Sequence, residues 1–157
     1  MNQRTARTVG EDLIDFIRDR TSKGLGKDNK PFPKYSKAYK ESFEFKVAGK
    51  TNTVDLELTG EMMDSLIVLS VKKGEIEIGY PPDSPVNGRA EGNILGSYGG
   101  DPDPSKARNF LALSEKEVKS VTDKYPVDQV SERLENLTVA ELARILAGEI
   151  AENIGFE

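Results

Sequence analysis

The 157 residues include no cysteine and no histidine. Disulfides, thiolate nucleophiles, zinc sites of the usual ligand types and every triad built on an imidazole base are thereby excluded. Hydrolysis or group transfer would have to run on carboxylates, lysine or tyrosine alone, so a non-enzymatic role with no cofactor is expected. No run approaches the roughly 18 apolar residues of a membrane span. The start, Met1-Asn2-Gln3-Arg4-Thr5-Ala6-Arg7-Thr8, lacks the apolar core of a signal peptide. The expectation is a chain made in the cytoplasm, with no membrane partner.

What is present suits one domain. Apolar residues make up 36% and mean hydropathy is −0.53, enough for a real core with polar connections. The net charge of −5 conceals an asymmetry. Residues 1–50 hold twelve Lys/Arg against seven Asp/Glu, whereas residues 51–157 hold ten against twenty. A basic segment can neutralise phosphates, but here the rest of the molecule opposes that field. A solvated basic loop is favoured over DNA binding. A third reading is that basic and acidic faces of neighbouring copies meet head to tail.

Periodicity supplies the elements. Val9, Leu13, Phe16 and Ile17 mark a first helix, with acids early, arginines late and Gly24 suited to the left-handed residue past its end. Residues 22–33 read as a loop, and Gly24-Leu25-Gly26-Lys27 within it as a flexible turn rather than a phosphate loop. Ser36 can cap a short helix over residues 37–42, after which Phe43, Phe45 and Val47 alternate weakly. Val54, Leu56 and Leu58 alternate with Asp55 and Glu57, the pattern of a half-buried strand. Thr59 then caps, Gly60 permits the tight turn, and Met62, Met63 and Leu66 form the apolar face of a short helix. Residues 67–80 read as a β-hairpin with Ile76, Ile78 and Tyr80 facing the core.

Residues 79–104 contain six glycines and five prolines and are expected to be a long loop, functional or ordered on binding. Ser114 with Glu117 is a capping-box signature for a helix running to Val121 or slightly beyond, which Tyr125-Pro126 ends. A last helix begins near Thr138, carrying Leu142, Ile145, Leu146, Ile150 and Ile154. The expected fold is therefore α+β: a small antiparallel β-sheet packed by helices, with a long Gly/Pro-rich loop and a C-terminal helix. Residues 1–157 form one domain, with 125–157 a candidate docking extension.

Apparent chemistry gives way to plainer readings. Ser70-Val71-Lys72-Lys73 has Ser-x-x-Lys spacing but enters a hairpin turn instead of starting a helix. Asp83, Asp101 and Asp103 lack the spacing of a calcium loop. Asp55 with Glu57 and Glu75 with Glu77 alternate toward water, so neither pair is poised for acid/base work. Tyr35 and Tyr39 interleave with lysines as in single-strand binders, but their spacing suits packing on one helix face.

Three pieces in order carry a resemblance. They are the loop Lys23-Gly24-Leu25-Gly26-Lys27-Asp28-Asn29-Lys30-Pro31-Phe32-Pro33-Lys34-Tyr35-Ser36 with Tyr39, then Leu56-Glu57-Leu58-Thr59-Gly60-Glu61-Met62-Met63-Asp64-Ser65-Leu66, then Arg108-Asn109-Phe110-Leu111-Ala112-Leu113-Ser114. Together they resemble the tailed-phage virion morphogenesis proteins, also described as tail-completion or head-tail neck proteins. The resemblance implies a small α+β virion protein, without a catalytic or metal site, forming a homo-oligomeric ring between portal and tail. DNA would pass through its lumen and other neck, connector or tail proteins would be its partners. The histidine often found before the Arg-x-Phe-Leu piece is replaced here by Ala90-Glu91-Gly92.

On that resemblance Lys27, Lys30, Tyr35, Arg89, Tyr98 and Arg108 are candidate assembly contacts. Arg108 is the foremost, with a salt bridge in its own chain as the equally weighted alternative. Thr59, Gly60, Met63, Leu66, Phe110 and Leu111 are structural, the last two anchoring the end of the long loop. The alternative function is a nucleic-acid-binding protein using the basic residues of segment 23–50.

Overall fold

A computed structural model describes residues 3–125 except 57–59, 73–74 and 99. The expected helix near Thr138 lies outside the described residues. Within them the fold is α+β, with helices α1 (Gln3–Ser22), α2 (Lys37–Glu41), α3 (Phe43–Val47), α4 (Glu61–Asp64), α5 (Asn87–Leu95) and α6 (Glu115–Thr122), and strands β1 (Ile67–Lys72) and β2 (Glu75–Gly79).

Helix α1 is the spine. Ala6, Val9, Gly10, Leu13, Ile14, Ile17, Arg20 and Thr21 form its buried stripe. It starts at Gln3, so the acids at 11 and 12 fall in mid-helix and the expected dipole ordering does not hold at its first turn, which has no acid. Its end follows expectation. Gly24 has φ +76, its amide bonds Thr21 O at 2.8 Å, and the Leu25 amide bonds Arg20 O at 3.2 Å. This Schellman arrangement satisfies two orphan carbonyls. The loop beyond is closed rather than flexible: Leu25 bridges Pro31, and the Phe32 amide reaches Gly24 O at 3.0 Å, burying Phe32.

The hairpin forms as expected, antiparallel, with one extra residue, Leu69, bulging β1 between Val68 and Ser70. Val68 and Ile78 are buried, while Ile76 and Tyr80 pack half-buried at the core edge. Gly10 brings α1 onto this sheet. A Cβ there would lie 2.6 Å from Val68 Cγ2 and 2.9 Å from Ile76 Cγ2.

Four expectations are corrected. Residues 54–56 are not a strand, and Leu56 has φ +58. No third strand pairs alongside the two among the described residues. Val54 is buried beside Gly24, and Asp55 is held by Lys50 Nζ at 2.7 Å. The cap position of α4 is Gly60 itself, at φ +76 and without a side-chain bond; Thr59 lies outside the described residues. Residues 43–47 are helical, because Ser42 Oγ accepts the Phe45 amide and starts α3. Within the Gly/Pro-rich stretch, α5 forms and ends at Gly96 in the left-handed region.

One core joins these parts. Met62, Met63 and Leu66 meet Phe110, Leu111, Leu113 and Val121 with the α1 stripe and Val68. Each large apolar side chain so buried contributes about 1.5–3 kcal/mol. Phe110 and Leu111, expected to anchor the end of the long 79–104 loop, are buried in this core.

Candidate functional site

Two arginines organise the polar interior around the three quoted sequence pieces. Arg108 is only 6% exposed. Its Nε donates to Pro33 O at 2.9 Å and a terminal nitrogen to Lys34 O at 3.1 Å, while the other donates to the Tyr98 hydroxyl. The guanidinium lies 5.2 Å from the Tyr35 ring centre and 5.5 Å from that of Tyr98, a cation–π arrangement. The Tyr98 hydroxyl in turn donates to Asn93 Oδ1 at 3.0 Å. Arg108, expected either at a subunit contact or in a salt bridge of its own chain, spends its donors within its own chain on carbonyls and a phenol rather than a carboxylate.

The second knot was not expected. Arg20 is buried, 2.8 Å from Glu117 Oε1, and donates to Phe110 O at 2.7 Å and Ala112 O at 3.0 Å. Glu117 completes the anticipated capping box with Ser114 and also accepts the Asp28 amide at 3.1 Å. Burial works to raise the Glu117 carboxyl, but hydrogen bonds from the Ser114 amide and Arg20 outweigh it and leave it below its ordinary value. The signal for Arg20 was in the sequence: it continues the Leu13, Ile17 spacing and so falls on the buried stripe. A third arginine, Arg18, closes α4 by donating to Met63 O, Asp64 O and Leu66 O.

Tyr35 and Tyr39 pack with centres 5.1 Å apart, and both meet Phe45 edge-on at 5.7 and 5.4 Å. Burial, then the nearby Asp55 carboxylate, push the Tyr35 phenol up to about 12. Tyr35, Tyr39 and Phe45 of the basic segment are thus engaged with one another, while Phe43 is exposed. Lys27 and Lys30 are exposed at the 3-10 turn Lys27–Asn29. Arg89 is exposed on α5 and pairs with Glu61, and Tyr98 remains 51% exposed beyond its contact with Arg108.

Among the described residues no group of three or more Asp or Glu could hold a metal ion. Asp103 instead binds Lys106 and Ser105, which lower its carboxyl to about 2. Glu77 accepts the Ser70 hydroxyl at 2.8 Å. A groove of about 390 Å³ between α1 and β1 carries Arg7 and Arg18 against Glu11 and Asp15, so it offers no net charge to a ligand. Among the described residues no helix is long and apolar enough to cross a membrane.

The class defined by these observations is a small α+β protein whose polar side chains are invested in holding loops. No family model, curated protein or solved structure matches this chain.

Proposed function

We propose that the chain is a structural virion protein of the phage head-tail connection. It forms a homo-oligomeric ring that joins head to tail and passes DNA. It is made in the host cytoplasm and incorporated into the virion, with its own copies and other neck, connector or tail proteins as partners. The observation that carries this reading is the mutual anchoring of the three motif pieces. Arg108 seats the Arg-x-Phe-Leu piece on the carbonyls of Pro33 and Lys34, and Phe110 and Leu111 share a core with Met62, Met63 and Leu66. Side chains that serve only to fix loops suit a subunit whose loops meet neighbours.

Size-exclusion chromatography with light scattering, negative-stain imaging and mass spectrometry of purified virions test it. Rings and virion incorporation are expected; a monomer at high concentration that is absent from virions overturns it. The nucleic-acid reading rests on exposed Lys27 and Lys30 and on Phe43, which is 77% exposed, while Tyr35, Tyr39 and Phe45 pack on one another. DNA affinity that falls steeply with salt would favour it.

A further inference from the structure

Of the eight asparagines, Asn87 alone is followed by glycine. An Asn-Gly pair is the most reactive setting for loss of a side-chain amide, because a residue without Cβ lets its backbone nitrogen approach the asparagine carbonyl carbon. Here the pair opens α5. Val86 stands at the cap position and makes no side-chain bond, and the Gly88 amide has no hydrogen-bond acceptor among the described residues. Gly88 is exposed, and nothing lies within 4 Å of where a Cβ would stand. The nucleophile is unpaired, uncrowded and open to water.

The group it would displace is held. Asn87 Nδ2 donates to Pro81 O and to Pro82 O, each at 2.9 Å, and the Asn87 backbone amide donates to Ser84 O at 3.1 Å. Asn87 is also helical, and a succinimide ring closes only once ψ leaves the helical range. The turn over residues 81–87 therefore latches a reactive pair.

We propose that Asn87-Gly88 is a deamidation site gated by opening of the first turn of α5. The Gly88 nitrogen gives its proton to hydroxide and attacks Asn87 Cγ. The N–Cγ bond forms, the Cγ–Nδ2 bond breaks, and the amide nitrogen leaves as ammonia after taking a proton from water. Water then opens the succinimide. Addition at Cγ breaks the new bond and leaves an aspartate at position 87; addition at the main-chain carbonyl carbon breaks the original peptide bond and leaves an isoaspartate. Either product sets a carboxylate against two proline carbonyls that had accepted N–H bonds, so the latch does not re-form.

The consequence reaches Arg108. Val86 is fully buried and its carbonyl accepts the Ala90 amide at 2.9 Å. Further along α5, Asn93 O accepts the Arg108 amide and Asn93 Oδ1 accepts the Tyr98 hydroxyl. Helix α5 thus ties the latch to the 96–107 loop, and modification at position 87 loosens that loop irreversibly. Residues 81–108 suffice for this, without a neighbouring copy.

Wild-type protein kept in mildly alkaline buffer, with and without urea, tests the site through peptide mapping by mass spectrometry. In urea, aspartate and isoaspartate should accumulate at position 87 ahead of the other seven asparagines, and in buffer at least about tenfold more slowly, because the turn must open first. G88A, which keeps both Asn87 bonds, should slow the reaction in both media. No preference for position 87 overturns the site, and equal rates with and without urea overturn the gate. N87D stands in for one product: it should keep wild-type circular dichroism yet be cut faster by protease in the 96–107 loop. Cleavage at the wild-type rate overturns the consequence. Comparing fresh with aged wild-type protein makes the same reading without relying on the folding of N87D.

Discussion

Arg20 and Glu117, 97 residues apart in sequence, form a 2.8 Å ion pair in the interior. Removing one partner leaves an uncompensated buried charge. E117A, which also deletes the cap and the acceptor for Asp28, should lose about 3–5 kcal/mol. E117Q keeps an acceptor in place and should fall between this variant and wild type. Urea unfolding followed by far-UV circular dichroism measures both, and equal stability of E117A and wild type would refute the role given to the pair.

Acid should reveal the same carboxylate. Glu117 titrates below its ordinary 4.5 in the folded chain, so the unfolded state binds its proton first as pH falls. The stabilisation is complete above pH 4.5 and is lost as pH drops through the folded value. Stability measured from pH 6 to 3 should decline on this limb, and E117Q should flatten it.

Alkali should act on the tyrosines. Burial leads the upward shift at Tyr35, Tyr39, Tyr80, Tyr98 and Tyr125, with Tyr35 reaching about 12. The stability they confer is present below pH 10 and is lost as pH rises through the folded values. Phenolate absorbance should therefore rise above pH 10 together with unfolding, and an early rise of all five in folded protein would contradict it.

Three glycines should respond differently to alanine. At Gly96, φ is +70 and a Cβ would lie 2.2 Å from Asp103 O, so G96A should lose at least about 2 kcal/mol. At Gly88 nothing lies within 4 Å, and G88A should gain about 0.5–1 kcal/mol from helix propensity. G10A should destabilise despite that propensity, because Val68 and Ile76 are in the way. Thermal melts of the three variants check the order.

Arg108 bonds two carbonyls with a planar fork while lying over two rings, which lysine cannot do. R108K should lose about 1–3 kcal/mol and speed proteolytic cleavage in the 96–107 loop. Unchanged cleavage would show that the loop is held by other contacts.

The sequence showed its structure best where the cause was local. The Ser114–Glu117 box, the Ser36 cap, Gly24 past α1 and the 67–79 hairpin each depend on neighbouring residues, and each formed. Residues 54–56 misled because alternation describes a strand only when another strand pairs with it; here Val54 meets Gly24, and Lys50 and Tyr35 hold Asp55. At residues 43–47 a serine hydroxyl outweighed weak alternation. Of the site, Phe110 and Leu111 were legible from apolar character, but the partners of Arg20 and Arg108 lie 90 and 75 residues away, beyond any local pattern.

Glu117 also sets a timetable for synthesis. Its capping bonds can form as soon as α6 is made, but Arg20 and Asp28 were translated long before. At 5–20 residues per second, the stripe of α1 waits roughly 5–20 s for its counter-ion to leave the ribosome. Throughout that interval the nascent N-terminal helix presents Val9, Leu13 and Ile17 beside a cation with no carboxylate from α6. The chain is thus most exposed to misassembly, or to chaperone capture, before residue 117 emerges.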